Sequence, residues 1–224
     1  MSASMEPSRV VEAARTVLPT TYGRFQAIGF LDLLTGEEHL VLVSPLGLGS
    51  AREPPLVRVQ SECLTGEVFG SLRCDCGPQL DHAMTLAATH PGIVVYLRGH
   101  EGRGVGLLAK LQAYRLQDEG FDTVDAQLAL GLPVDDREYG AAAAILDTIG
   151  STRIRLLTNN PRKAAALRSA GIDVVSLEPL SFAPTAINAA YLRAKRDRLG
   201  HTLPPDPPSG SQSQASTNAA AALE

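Results

Sequence analysis

The stretch Arg153-Ile-Arg-Leu-Leu-Thr-Asn-Asn-Pro-Arg-Lys-Ala-Ala-Ala-Leu-Arg-Ser-Ala-Gly-Ile-Asp-Val-Val-Ser-Leu177 decides the fold. Residues 153–157 and 172–177 read as short strands. Between them, Thr158-Asn-Asn-Pro161 is turn chemistry, with proline where a helix starts. Residues 162–170 are rich in alanine and are closed by Gly171, a helix with its stop signal. Strand, helix and strand in that order make a βαβ unit, hence a parallel strand pair.

Upstream, residues 138–149 read as a second alanine-rich helix ended by Gly150. Residues 105–119 read as a helix with Leu107, Leu108, Leu111 and Leu116 on its apolar side and Gly120 as its cap. Residues 93–97 are wholly apolar, a strand buried on both faces. Leu80, Ala83, Met84 and Ala87 fall at helical spacing over 79–89, and Pro91-Gly92 breaks that helix. Residues 55–62 alternate apolar and polar, a strand that delivers Glu62 and Cys63 at its end. Further back, 24–34 and 39–45 flank Thr35-Gly36-Glu37, which makes a hairpin. Downstream, 186–199 reads as a last helix ending at Gly200. Hairpins early and β-α alternation later predict an α/β (α+β) fold, a mixed β-sheet with flanking helices.

The chain has 224 residues, 44% of them hydrophobic, so one sizeable core is affordable in residues and area. Its net charge of -4 argues against a general nucleic-acid binder, which needs a basic face. No apolar run reaches the roughly 18 residues of a membrane span. The first residues lack a signal-peptide pattern, which predicts the reducing cytoplasm. From residue 204 on, Pro, Ser, Gly, Gln and Ala dominate, a composition that predicts disorder. The final Ala-Ala-Ala-Leu223-Glu224 looks like a vector scar. The expected organisation is an N-terminal extension over 1–17, one catalytic domain over 18–203, and a disordered tail over 204–224.

Cys63, Cys74 and Cys76 are the three cysteines of the chain and sit within fourteen residues. An odd, clustered set is no disulfide framework, whereas three thiolates can hold zinc and leave a fourth position open for chemistry. Iron–sulfur clusters generally want four cysteines. Two plainer readings stand beside the open site. One is three buried apolar thiols; the other is structural zinc closed by His82 or His100. Three thiolates outweigh a dication's charge, so neighbouring cations or a positioned base are expected to help activate water.

Glu101-Gly-Arg-Gly-Val-Gly106 follows a strand and opens a helix, where backbone N–H groups favour anions. Its glycine spacing is neither the Rossmann nor the Walker pattern, and the alternative is a solvated turn. Arg58, Arg73, Arg98 and Arg103 lie in or beside these loops, and Lys163 is a further cation at a helix start. Guanidinium forks suit phosphate oxygens. Asp135-Asp136-Arg137 joins two acids and a base, or else caps the helix that follows.

Together these residues resemble GTP cyclohydrolase II. The matching runs are Arg58-Val-Gln-Ser-Glu-Cys-Leu-Thr-Gly-Glu67, Ser71-Leu-Arg-Cys-Asp-Cys-Gly77, Gln79-Leu80, Glu101-Gly-Arg-Gly104, Tyr114, Asp135-Asp-Arg-Glu-Tyr139 and Leu156-Leu-Thr-Asn-Asn-Pro161. The resemblance implies that Cys63, Cys74 and Cys76 hold zinc. It implies GTP contacts from Arg58, Val59, Gln60, Ser61, Glu62, Gln79, Glu101, Gly102, Arg103, Thr123, Thr158 and Lys163. It also implies Asp135 as proton acceptor, Arg137 as nucleophile at the α-phosphate, and Tyr114 as an assistant at the purine ring. A guanidinium stays protonated, so Arg137 suits equally well as an electrostatic clamp. The family also implies magnesium with the triphosphate, a homodimer, and release of formate and pyrophosphate in riboflavin synthesis. A paralogue that keeps the formyl group, or a non-catalytic nucleotide-binding module, are the alternatives. Gln60 stands where many relatives place histidine.

Overall fold

A computed structural model describes residues 8–50, 52–203 and 205. The tail read as disordered therefore lies outside the described residues, Pro205 apart. The strands are β1 (Val10–Thr20), β2 (Gly23–Asp32), β3 (Glu38–Val43), β4 (Leu56–Ser61), β5 (Gly92–Leu97), β6 (Arg153–Leu157) and β7 (Asp173–Glu178). They form one mixed sheet in the order β1-β2-β3-β5-β4-β6-β7. β1, β2, β3 and β5 pair antiparallel. β5, β4, β6 and β7 pair parallel, which includes the βαβ unit expected at 153–177. The mixed α/β character read from the sequence is the observed one.

The helices are α1 (Leu64–Glu67), α2 (Cys76–Thr89), α3 (Leu107–Asp118), α4 (Thr123–Ala129), α5 (Gly140–Thr148), α6 (Pro161–Ser169) and α7 (Ala189–Asp197), with a 3-10 turn at Glu101–Arg103. The period-2 alternation of β4 sorts two cores. Val57 and Val59 pack with Ile145, Leu146 and Leu167 of α5 and α6. Leu56 packs with Ala83, Met84 and Ala87 of α2 on the opposite face. Arg58 and Gln60 share the face of Leu56, so they point into protein rather than water.

β1 corrects the N-terminal reading: residues 10–17, assigned to an extension, pair along β2 from Val10↔Asp32 onward. It is an edge strand, exposed along most of its length. That is why its sequence lacks the apolar alternation of a half-buried strand and tolerates Pro19. α4 is an element the sequence reading did not contain. Its cap is standard, with Asp122 Oδ1 accepting from Val124 N and Asp125 N at 2.7 Å each. In α3 the expected apolar side is wrong in part: Leu108 is 77% exposed and Leu111 is also exposed. The inward stripe is Lys110, Ala113, Tyr114 and Gln117, at i, i+3, i+4 and i+7, because this helix faces a cavity instead of the core.

Candidate functional site

β4 lies between β5 and β6: the chain leaves β4 through α2 on one face to reach β5, and leaves β5 through α5 on the other face to reach β6. Such a switch point opens a crevice beyond the C-terminal ends of parallel strands. The segments after β4 (Glu62, Cys63), β5 (98–104) and β6 (Thr158 to Asn160) supply much of the site. Two adjoining cavities occupy it. Ser61, Cys76, Arg103, Arg137 and Tyr191 border both.

The first is a sulfur chamber. The sulfur atoms of Cys63, Cys74 and Cys76 all lie within 4.8 Å of one another. Two glycines make this possible. A Cβ on Gly66 would sit 2.7 Å from Cys74 Sγ, and one on Gly77 would sit 2.5 Å from Gly66 O. The loop and the start of α2 therefore close on each other as only bare backbones can. The metal-ligand group of the described residues contains these three thiols and no histidine. His82 packs edge-on against Phe182 with centroids 6.0 Å apart. His100 Nδ1 meets Ser61 Oγ at 3.1 Å. Neither closes the tripod.

Lys110 answers the expectation of a neighbouring cation. Its Nζ donates to Cys63 Sγ at 3.1 Å and to Glu101 Oε1 at 2.6 Å. Glu101 Oε2 accepts from Leu64 N at 2.6 Å, fixing the turn after Cys63. Hydrogen bonds from Cys74, Cys76 and Lys110 pull the Cys63 thiol down. Cys63 in turn, with burial adding to it and Cys76 opposing it, pushes Cys74 up to about 11. One negative charge is thus comfortable here and three are not, unless a dication joins them. A soft, three-sulfur donor set of this size fits zinc.

The second is a cation chamber. Arg58 is buried and donates to Gln60 Oε1 at 2.7 Å, Gln79 Oε1 at 2.7 Å and Leu157 O at 3.2 Å. Lys163 is buried on α6 and donates to Val59 O. Burial, then Arg58 and Arg137, push its ammonium well below the ordinary lysine range. Arg103 Nη1 donates to Gln127 Oε1 at 2.7 Å, while the buried Nη2 has no partner. All three cations meet neutral acceptors only, which is costly unless an anion enters. Arg103 is also the one non-glycine residue with left-handed backbone among the described residues, at φ +66°. The turn around it is held by Asp136 N donating to Arg103 O at 3.0 Å.

Gln60 bridges the chambers' supports. Its Oε1 accepts from Arg58, and its Nε2 donates to Glu67 Oε1 at 2.6 Å. Glu67 Oε2 in turn accepts from Tyr96 Oη at 2.5 Å and Cys63 N at 3.3 Å. An amide with one acceptor and one donor end satisfies both neighbours.

Arg137 lies where the chambers meet and forms a fork with Asp135, Nε to Oδ1 at 2.8 Å and Nη2 to Oδ2 at 2.7 Å. Burial alone would raise the Asp135 carboxyl, but this fork holds it below the usual carboxylate range. Asp135 stands behind Arg137 and borders neither cavity. Thr158 and Val59 do not border them either: Thr158 Oγ1 accepts from Asn160 N at 3.0 Å, and Val59 is core. The remaining predicted site residues line one or both cavities. The sequence reading missed Lys110, Gln127, Tyr191, Lys195 and His201. Only Lys110 carried a signal, three residues into the helix that follows the glycine loop.

Three clustered thiols that fit a soft divalent metal, beside a chamber lined by buried cations, define the class of site. Residues 11–179 match the family model described as GTP cyclohydrolase II, and the chain belongs to that family. It is 56% identical over 190 residues to a GTP cyclohydrolase-2 of Streptomyces coelicolor, covering 84% of this chain and 85% of that protein. It is 54% identical over 198 residues to riboflavin biosynthesis protein RibBA of Mycobacterium marinum, covering 87% of this chain and 46% of that one. The Rhodococcus erythropolis RibBA is 52% identical over 200 residues, at 87% and 46% coverage. The chain thus spans about half the length of the RibBA relatives it matches. Among the described residues, no helix is long and apolar enough to cross a membrane.

Proposed function

We propose that this chain hydrolyses GTP, releasing formate and pyrophosphate and leaving a diamino-ribosylamino-pyrimidinone 5'-phosphate for riboflavin synthesis. The observation that carries this reading is the pairing of an open three-sulfur tripod with buried cations that lack carboxylate partners. In this assignment Cys63, Cys74 and Cys76 hold zinc, which when bound supplies Lewis acidity beside C8 of the purine. Lys110 offsets part of the thiolate charge at Cys63. Tyr114, Thr123 and Glu101 to Arg103 bound the chamber that takes the base. Arg58, Arg103 and Lys163 take the triphosphate, which brings its own magnesium.

For loss of pyrophosphate we assign Arg137 the role of clamp. A guanidinium held by a bidentate carboxylate keeps its protons and cannot attack phosphorus. It can stabilise charge growing on the phosphoryl oxygens. Asp135 fixes the fork, and it accepts a proton only once substrate draws Arg137 away. A cytoplasmic homodimer goes with this assignment, and light scattering after size exclusion tests the dimer.

The test is mass spectrometry of the product from GTP, with formate, pyrophosphate and zinc measured on the same sample. Formate and pyrophosphate in equal amounts support the proposal. Pyrophosphate without formate identifies the enzyme as the kind that stops at the formamidopyrimidine. Absence of turnover by zinc-replete protein refutes the enzymatic assignment.

A further inference from the structure

The family model ends at residue 179, yet α7 and the residues after it wall the cation chamber. Tyr191, Lys195, Leu199, His201 and Leu203 border it together with Arg58, Arg137 and Lys163. Backbone bonds fix this wall in place: Thr202 N donates to Asn159 O at 2.9 Å, and His201 N to Lys195 O at 3.0 Å. Arg198 Nη1 donates to Asp125 Oδ1 at 2.9 Å, tying the end of α7 to α4.

Lys195 is buried, and its Nζ meets Asp75 Oδ1 at 2.7 Å. Asp75 is the residue between Cys74 and Cys76, and its other oxygen accepts from Gln79 Nε2 at 2.7 Å. The ring of Tyr191 lies 4.9 Å from the same ammonium. A buried lysine–aspartate pair is a poor way to gain stability, since an apolar pair of similar volume often does as well. Its place beside the chamber calls for another account. An ammonium has three N–H donors. Asp75 takes one, and no other hydrogen-bond acceptor of Lys195 Nζ occurs among the described residues. His201 adds a second polar group to this wall. Burial, then Lys195, Arg137 and Lys163, push its imidazole down to about 3, so it is a neutral ring able to donate one hydrogen bond.

We propose that Lys195 is a phosphate-binding and positioning residue, one ammonium joining the nucleotide's polyphosphate to the carboxylate set between two metal-ligating cysteines. Substrate held at its phosphate end then bears, through Asp75, on the geometry of the sulfur tripod. This inference rests on reading the cation chamber as the polyphosphate site.

Calorimetric titration of the zinc-replete full chain with magnesium tripolyphosphate tests it, alongside KM and kcat for GTP. Lys195→Met is expected to weaken tripolyphosphate binding roughly tenfold or more and to raise KM, while Lys195→Arg recovers most of both. Asp75→Asn leaves Lys195 free for phosphate, so tripolyphosphate affinity should stay within about twofold. Zinc affinity of that variant, measured against a chromophoric chelator, should fall roughly 10- to 100-fold. Wild-type tripolyphosphate affinity in Lys195→Met, with weakened binding in Lys163→Met, overturns the inference and leaves the chamber assignment standing. Failure of the unmodified chain to bind tripolyphosphate refutes the chamber assignment itself. Should Lys195→Met not fold, Lys195→Arg and Asp75→Asn still decide: loss of phosphate binding in Asp75→Asn makes the pair a structural tether and overturns the proposal.

Discussion

The two chambers share a wall but are opposite in electrical design. In the sulfur chamber the buried cation is answered on the spot, Lys110 lying 2.6 Å from Glu101 and 3.1 Å from Cys63. In the cation chamber, Arg58, Arg103 and Lys163 find only amides and carbonyls. Protein groups complete the first chamber's balance apart from the sulfur charges, which call for a cation. In the second, these three cations have no carboxylate of their own, while Arg137 and Lys195 on the same wall are paired with Asp135 and Asp75.

Substitutions in each chamber can break this contrast. Cys74→Ser should have the largest effect: formate release falls to background, more than about 100-fold, because a direct ligand matters more than its supports. Elemental analysis should find the zinc lost, and an active, zinc-replete variant would contradict the metal assignment. Lys110→Met comes next. It leaves the buried Glu101 with backbone N–H donors but no cation, so urea unfolding should register a loss of about 3 kcal/mol. The matching change in the other chamber, Lys163→Met, should leave stability level or raise it, since no carboxylate is orphaned. Its KM for GTP should rise roughly 10- to 100-fold, the worth of about 1.5–3 kcal/mol in a charged hydrogen bond. Equal destabilisation by the two methionine substitutions would erase the distinction between the chambers.

The smallest effect concerns one histidine in each chamber. Burial first, then nearby cations, lower His100 to about 4 and His201 to about 3. The unfolded chain protonates both near 6.5. Folding therefore excludes protons below that point. The stability contribution is full above about pH 6.5 and is lost as pH falls toward about 4 for His100 and about 3 for His201. Each histidine should add a slope of about 1 kcal/mol per pH unit. His100→Gln and His201→Gln should each flatten the curve by that amount. With magnesium tripolyphosphate present, only the His201 share should shrink.

Much of this was readable in the chain. The βαβ unit at 153–177 and the hairpin around Thr35-Gly36-Glu37 announce themselves because turn residues and apolar runs agree. The cysteine tripod was legible for a different reason: three thiols close in sequence have few other uses. β1 was not, because an exposed edge strand carries no burial pattern to read. The outward face of α3 was misassigned because a helix lining a cavity spends its inner stripe on Lys110, Ala113, Tyr114 and Gln117, leaving leucines outside. Lys195 and His201 were invisible for a topological reason. They lie more than a hundred residues from Cys74 in sequence, and only the path of α7 brings them to it.

Arg103 has a further consequence. Its φ of +66° puts an ordinary side chain in a conformation that costs about 1–3 kcal/mol. Glycine at this position would relieve the backbone and should yield a hardier protein. It would also withdraw a guanidinium nitrogen, Nη2, that is buried without a hydrogen-bond partner among the described residues at the meeting of the two chambers. Here durability and activity pull against each other through a single torsion angle.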